Sequence, residues 1–160
     1  MALAERILGI DPGSRITGYG VIEADRGNLF FVSCGVVKTT ARYPLNYRLN
    51  EIFEGLNEVV QLHEPVVAAV EEVFMSENPR SALKLGQARG AAVLAAMQNG
   101  LNVHDYSPRA IKQAVCGYGQ ADKQQVQHMV RVLLNLSRSP SSDAADALSV
   151  AICHANQFNL

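Results

Sequence analysis

The sequence predicts one α/β domain over residues 1–160, a mixed five-stranded sheet flanked by helices on both faces. Three observations predict it. With 160 residues, 17.3 kDa and 48% hydrophobic side chains, the chain can fill one sizeable core and not two. Its hydrophobic patterns run in a set order, three strand-like runs joined by tight turns and then two alternations of strand and helix. Strands joined by hairpins pair antiparallel and a strand reached through a helix returns parallel, so the sheet is antiparallel on one side and parallel on the other. Finally, no internal repeat, low-complexity stretch or long linker divides the chain.

Residues 6–11 (RILGID) form a short apolar run halted by Pro12-Gly13, and 16–23 and 29–39 are further strand-like runs around the turn Asp25-Arg26-Gly27-Asn28. Leu45, Leu49, Ile52, Phe53, Leu56, Val59 and Val60 then recur at helical spacing until Pro65 closes the segment. A buried-type strand at 66–70 ends in Glu71-Glu72. A long Ala-rich helix is predicted at 81–99, with Ala82, Gly86 and Gly90 at intervals of four. That narrow face suits close contact, either with a second copy or with the sheet beneath. A fifth strand at 101–106 and helices at 108–115, 121–136 and 143–154 complete the order, which is that of the RNase H-like fold.

No apolar run approaches the roughly 18 residues of a membrane span, and Glu5 and Arg6 interrupt the amino terminus where a signal peptide needs its apolar stretch. The expected location is the cytoplasm, with no membrane partner. Cys34, Cys116 and Cys153 are too far apart for a zinc site and odd in number, so they read as reduced thiols. The net charge of -1 argues, taken alone, against a polyanionic partner. Its distribution argues otherwise: residues 78–138 hold eight basic side chains against two acidic ones, Asp105 and Asp122. Bound divalent cations would offset the acids elsewhere that face a polyanion. Solvated helix faces account for the basic residues equally well.

Asp11 ends the first strand and Glu71 the fourth, so both project at the carboxyl edge of the sheet, where ligands of open α/β sheets gather. Asp-Pro-Gly is also an ordinary turn sequence. Asp143 and Asp146 lie three apart near the start of the last helix and share a face. Ser142 or Asp143 could cap that helix, and Asp146 would favour the positive end of its dipole. Their alanine neighbours point further: acids on an apolar, small-residue helix face inward, and inward carboxylates need a metal or a charged partner. Four carboxylates suit magnesium where the substrate is a phosphate, and two ions about 3.5 to 4 Å apart can serve the two sides of a phosphodiester.

Four motifs stand in order along nearly the whole chain: Gly9-Ile10-Asp11-Pro12-Gly13-Ser14, Val70-Glu71-Glu72-Val73-Phe74, the serine-to-glycine run from Ser81 to Gly90, and Asp143-Ala144-Ala145-Asp146-Ala147. Together they resemble the signatures of the RuvC family of Holliday junction resolvases. The resemblance implies that Asp11, Glu71, Asp143 and Asp146 hold two magnesium ions, with manganese as a substitute, and that Glu72 is not a ligand; the sequence alone does not choose between Glu71 and its neighbour. It implies symmetric nicking of a four-way DNA junction by a homodimer, with RuvA and RuvB as branch-migration partners. Lys112 and Lys123 match basic positions near the DNA backbone, and Lys123, in a helix's first turn, is counted with the catalytic set. Arg80 and Lys84 are expected DNA contacts, and Phe74 could stack on an unpaired base or anchor the core. Three rival readings stand beside this one. Gly9 to Ser14 followed by Gly18 also resembles the first phosphate loop of sugar-kinase and actin-like ATPases, although a second loop and an enclosing domain are lacking. A nuclease of RNA–DNA hybrids and a non-catalytic junction-binding module are the others.

Overall fold

The computed structural model describes residues 3–73 and 78–160. Three antiparallel strands, β1 (Glu5–Asp11), β2 (Ile16–Asp25) and β3 (Asn28–Lys38), lead into α1 (Leu45–His63), β4 (Val67–Glu71), α2 (Pro79–Gln98) and β5 (Asn102–Tyr106). Helices α3 (Pro108–Cys116), α4 (Lys123–Leu133) and α5 (Ser142–Gln157) follow. The sheet order is β3-β2-β1-β4-β5, with β1 antiparallel to β2 and parallel to β4, and β4 parallel to β5. The predicted mixed sheet is therefore the observed one. Arg26 and Gly27, at φ 50° and 85°, make the two-residue turn between β2 and β3 that the right-handed strand twist favours.

Capping residues account for most boundary differences. The helix predicted at 121–136 runs only from Lys123 to Leu133, because Asp122 and Gln125 form a reciprocal capping box and Asn135, at φ 52°, turns the chain away. The helix predicted from 81 begins at Pro79, since the Asn78 side chain accepts the Arg80 and Ser81 N–H groups. Ser141, and neither Ser142 nor Asp143, caps α5 by accepting the Ala144 N–H. Asp143 is thereby left available to the site.

Strand alternation sorts the core into two layers. Leu8, Ile10, Val21, Ala68 and Val70 pack beneath α1 and α2, while Ile7, Ile22, Val67 and Ala69 face α5 with α3 and α4 outside it. Placed between sheet and outer helices, α5 is apolar all round: from Ala144 to Ala155 every residue but Asp146 is buried. It rests on bare backbone. A Cβ added to Gly9 would fall on the Ala147 carbonyl oxygen, one on Gly18 on the Asp143 carbonyl oxygen, and one on Gly20 within 2.6 Å of the Leu148 side chain. Glycine is needed at these positions because a helix backbone approaches the strands directly.

Candidate active site

The same alternation determines which acids meet. Asp11 follows Ile7 and Gly9 on the α5 face of β1, and Glu71 follows Val67 and Ala69 on the α5 face of β4. Glu72 falls one residue past the strand, is exposed, and gives its backbone N–H to the Tyr106 carbonyl at 2.9 Å. Above this edge the first turn of α5, held close by Gly18, brings down Asp143 and Asp146. Asp11, Asp143 and Asp146 each offer a carboxylate oxygen, all within 4.8 Å of one another, and Glu71 hydrogen-bonds Asp11. All four predicted acids are thus brought together from three elements.

Burial pushes the Asp11 carboxyl up to about 8, and the charges of Glu71 and Asp146 add to the effect. Glu71 is also raised, by burial above all, while its bond from Asp11 and the nearby Lys112 and Lys123 pull it back. The geometry is that of a proton retained on Asp11 and donated to Glu71. Asp146 is raised by burial and lowered again by Lys123, whose Nζ lies 3.2 Å from its Oδ2. Burial pulls the Lys123 ammonium down, but the bond to Asp146 and the field of the acids leave it raised. A cluster that must hold a proton and recruit a lysine to tolerate its own charge fits hard divalent cations.

The sign of the Asp11 shift gives a test. Retaining a proton that the unfolded chain releases near 3.8 stabilises the metal-free fold at low pH, and this contribution is lost as pH rises through about 8. In EDTA, the melting temperature is expected to fall between pH 6.5 and 9, and Asp11→Asn is expected to flatten that fall and raise stability at pH 9. Melting curves for both proteins across this range check it; a variant that melts below the parent at pH 9 would show that Asp11 carries no such burden.

A cavity of about 220 Å³ beside the acids is lined by Glu71, Lys112, Lys123, Asp146 and Ser149. Lys112 comes from α3, while Lys123 begins α4. Arg80 and Lys84 are exposed on the first turns of α2 and do not line this cavity. Phe74 lies outside the described residues. Two supporting groups escaped the sequence reading. The buried Thr17 hydroxyl donates to the Gly13 carbonyl at 2.9 Å and accepts the Gly13 N–H at 3.2 Å, clasping the turn that follows Asp11. Ser149, also buried, donates to the main-chain carbonyl of Asp146. A threonine at helix-free spacing from a Pro-Gly turn was the available signal for the first; for the second there was none.

Comparison with known proteins places this edge in context. The family model described as crossover junction endodeoxyribonuclease RuvC matches residues 7–154. The chain belongs to the RuvC family. The crossover junction endodeoxyribonuclease RuvC of Acinetobacter baumannii is 57% identical over 150 residues, covering 94% of this chain and 82% of that protein. The RuvC of Tolumonas auensis is 52% identical, covering 94% and 86%. Among solved structures, T. thermophilus RuvC in complex with Holliday junction substrate superposes with a TM-score of 0.91 at 37% identity, over 97% of this chain and 95% of that one. The yeast mitochondrial Holliday junction resolvase Ydc2, at 13% identity and a TM-score of 0.66, shares the fold. The RNase H-like reading and the RuvC resemblance are both borne out.

Proposed function

We propose that this chain is a crossover junction endodeoxyribonuclease that resolves four-way DNA junctions by hydrolysing phosphodiesters symmetrically. The observation that carries this reading is the convergence of Asp11, Asp143 and Asp146 within 4.8 Å beside Glu71, on a chain 57% identical to a RuvC. These four side chains would hold magnesium, two ions per site with manganese able to replace them. When bound, the ions would offset the carboxylate charge and polarise the scissile phosphate. Lys123 is poised for a role of its own: ions that engage Asp146 free its ammonium to meet the incoming phosphate, and Lys112 flanks the same cavity. Arg80, Lys84 and Phe74 would contact the junction from the start of α2 and the segment before it.

A four-way junction has two-fold symmetry, which a homodimer matches. Supporting a dimer, α2 leaves Leu83, Gly86, Gly90, Leu94 and Met97 as a stripe on one side while Ala88, Ala92, Ala95 and Ala96 are buried on the other; Leu83 is 67% exposed, and a Cβ on Gly86 or Gly90 would meet nothing. The open space over Gly86 and Gly90 supports this reading over packing of Ala82, Gly86 and Gly90 on the chain's own sheet. RuvA and RuvB are the proposed partners, residues 1–160 the single domain, and the cytoplasm the location in keeping with a chromosomal DNA substrate. No helix among the described residues is long and apolar enough to cross a membrane.

The deciding experiment incubates end-labelled four-way junction, linear duplex and RNA–DNA hybrid with the protein in magnesium and in EDTA. Paired, magnesium-dependent nicks confined to the junction are expected. Cutting of the hybrid in preference would move the activity to a ribonuclease, and cutting of none would leave a binding module.

A further inference from the structure

The basic residues that stand out in the sequence lie in its second half, yet folding gathers another set at the antiparallel end of the edge that carries Asp11. We propose that Arg15 and Lys38, set on a platform fixed by Arg48, form a second phosphate-binding surface that grips the sugar–phosphate backbone of a junction arm next to the scissile bond. This rests on the junction-nuclease reading and extends it to a part of the molecule that the acid site does not include.

Placement comes from strand register. Asp11 pairs with Gly18, and Ile16, two residues nearer the end of β2, pairs with Lys38 at the end of β3. Two strand spacings of about 4.8 Å, with a two-residue offset of about 3.3 Å per residue along the strand, put Lys38 roughly 12 Å from Asp11. A groove of about 460 Å³ opens there, lined by Arg15, Lys38, Thr39 and Arg48 and by no acid.

The platform is rigid and its cations are unspent. The Arg48 guanidinium donates to the Ser14 carbonyl at 2.7 Å and to Thr39 Oγ1 at 3.1 Å, while Thr39 Oγ1 donates to Ser14 O at 2.8 Å and the Thr39 N–H to Arg15 O at 3.0 Å. The β1–β2 turn, the end of β3 and α1 are thereby locked together. Glu51, one turn from Arg48, forms no ion pair among the described residues, and its carboxylate accepts the Thr40 N–H and hydroxyl at 3.0 to 3.1 Å. Arg6, Arg26, Arg89 and Lys123 each have an acidic partner, whereas Arg15 and Lys38 are exposed and in no ion pair among the described residues. Exposed cations with no acid to answer them, fixed beside a site that must receive a phosphodiester, have the charge and spacing of a backbone contact. The alternative is that both are merely solvated.

The test measures binding of a four-way junction by the full chain in EDTA, by fluorescence anisotropy, between about 50 and 200 mM salt. Each lost phosphate contact makes the slope of log affinity against log salt shallower by about 0.9, so Arg15→Gln with Lys38→Gln is expected to lose nearly two units and to bind at least about tenfold more weakly. Arg26→Gln, which removes a positive charge at the opposite end of the sheet, should match the parent where Arg15→Gln or Lys38→Gln alone loses about 0.9 of the slope, and Arg15→Lys with Lys38→Arg should restore it. Neutral methylphosphonates placed next to, but not at, the cut should weaken the parent and leave the double variant indifferent. A double variant with the parent's slope would overturn this surface while leaving the nuclease intact. A parent that fails to bind the junction at all would instead overturn the function on which it rests.

Discussion

Asp146→Asn is expected to lower junction cleavage in magnesium by at least about 100- to 1000-fold, the loss that follows removal of one preorganised polar group at a reacting centre. The substitution keeps volume and removes the charge that Lys123 pairs with and that a bound cation would use. Folding should survive it, because Asp146 is the one residue of Ala144 to Ala155 that is not buried. Binding in EDTA should hold or tighten, since one negative charge facing a polyanion has gone. Single-turnover cleavage and anisotropy on the same preparation check both halves. Cleavage at the parental rate would remove the acid cluster from the reaction.

Gly18→Ala should be the most damaging single methyl group near the site. Its Cβ would fall on the Asp143 carbonyl oxygen, a backbone atom with no rotamer to yield. The first turn of α5 must therefore lift, at a cost of about 1–3 kcal/mol as for other overpacked cores. For a domain of this size that is a fall of about 2–4 °C in melting temperature per kcal/mol. Cleavage should suffer more than stability, because a displacement of about 1 Å in a reacting group can cost 100-fold. Melting temperature and cleavage rate measured well below the new transition separate the two effects. A variant as stable and as active as the parent would show that α5 is not seated on the strand as described.

These cases also show what the chain discloses before it is folded. Asp11 was legible because Pro12-Gly13 stops a strand directly after it, and Asp143 with Asp146 because helical spacing puts both on one face. The choice between Glu71 and Glu72 was not, since adjacent strand residues point to opposite faces and nothing local says which face carries α5. The faces become known only with the packing of Gly9, Gly18 and Gly20 against that helix, a contact between segments more than a hundred residues apart. The cap at Ser141 is hidden for a related reason: Ser141, Ser142 and Asp143 in succession all have capping side chains, and tertiary fit selects among them. Arg15, Lys38 and Arg48 carry no local signal, because they are far apart along the chain and only the sheet register and the docking of α1 bring them together.

The long reach of α5 bears on when the activity can exist. Chains leave the ribosome amino end first, and the meander of β1 to β3, with α1, α2 and β4, can begin to pack while α5 is still unmade. At that stage Asp11 and Glu71 are present without Asp143 and Asp146. A nascent or prematurely terminated chain thus carries half a set of acids and a groove with no lid of α5 above it. The arrangement defers a complete set of acids until α5 has been made and has docked on the strands.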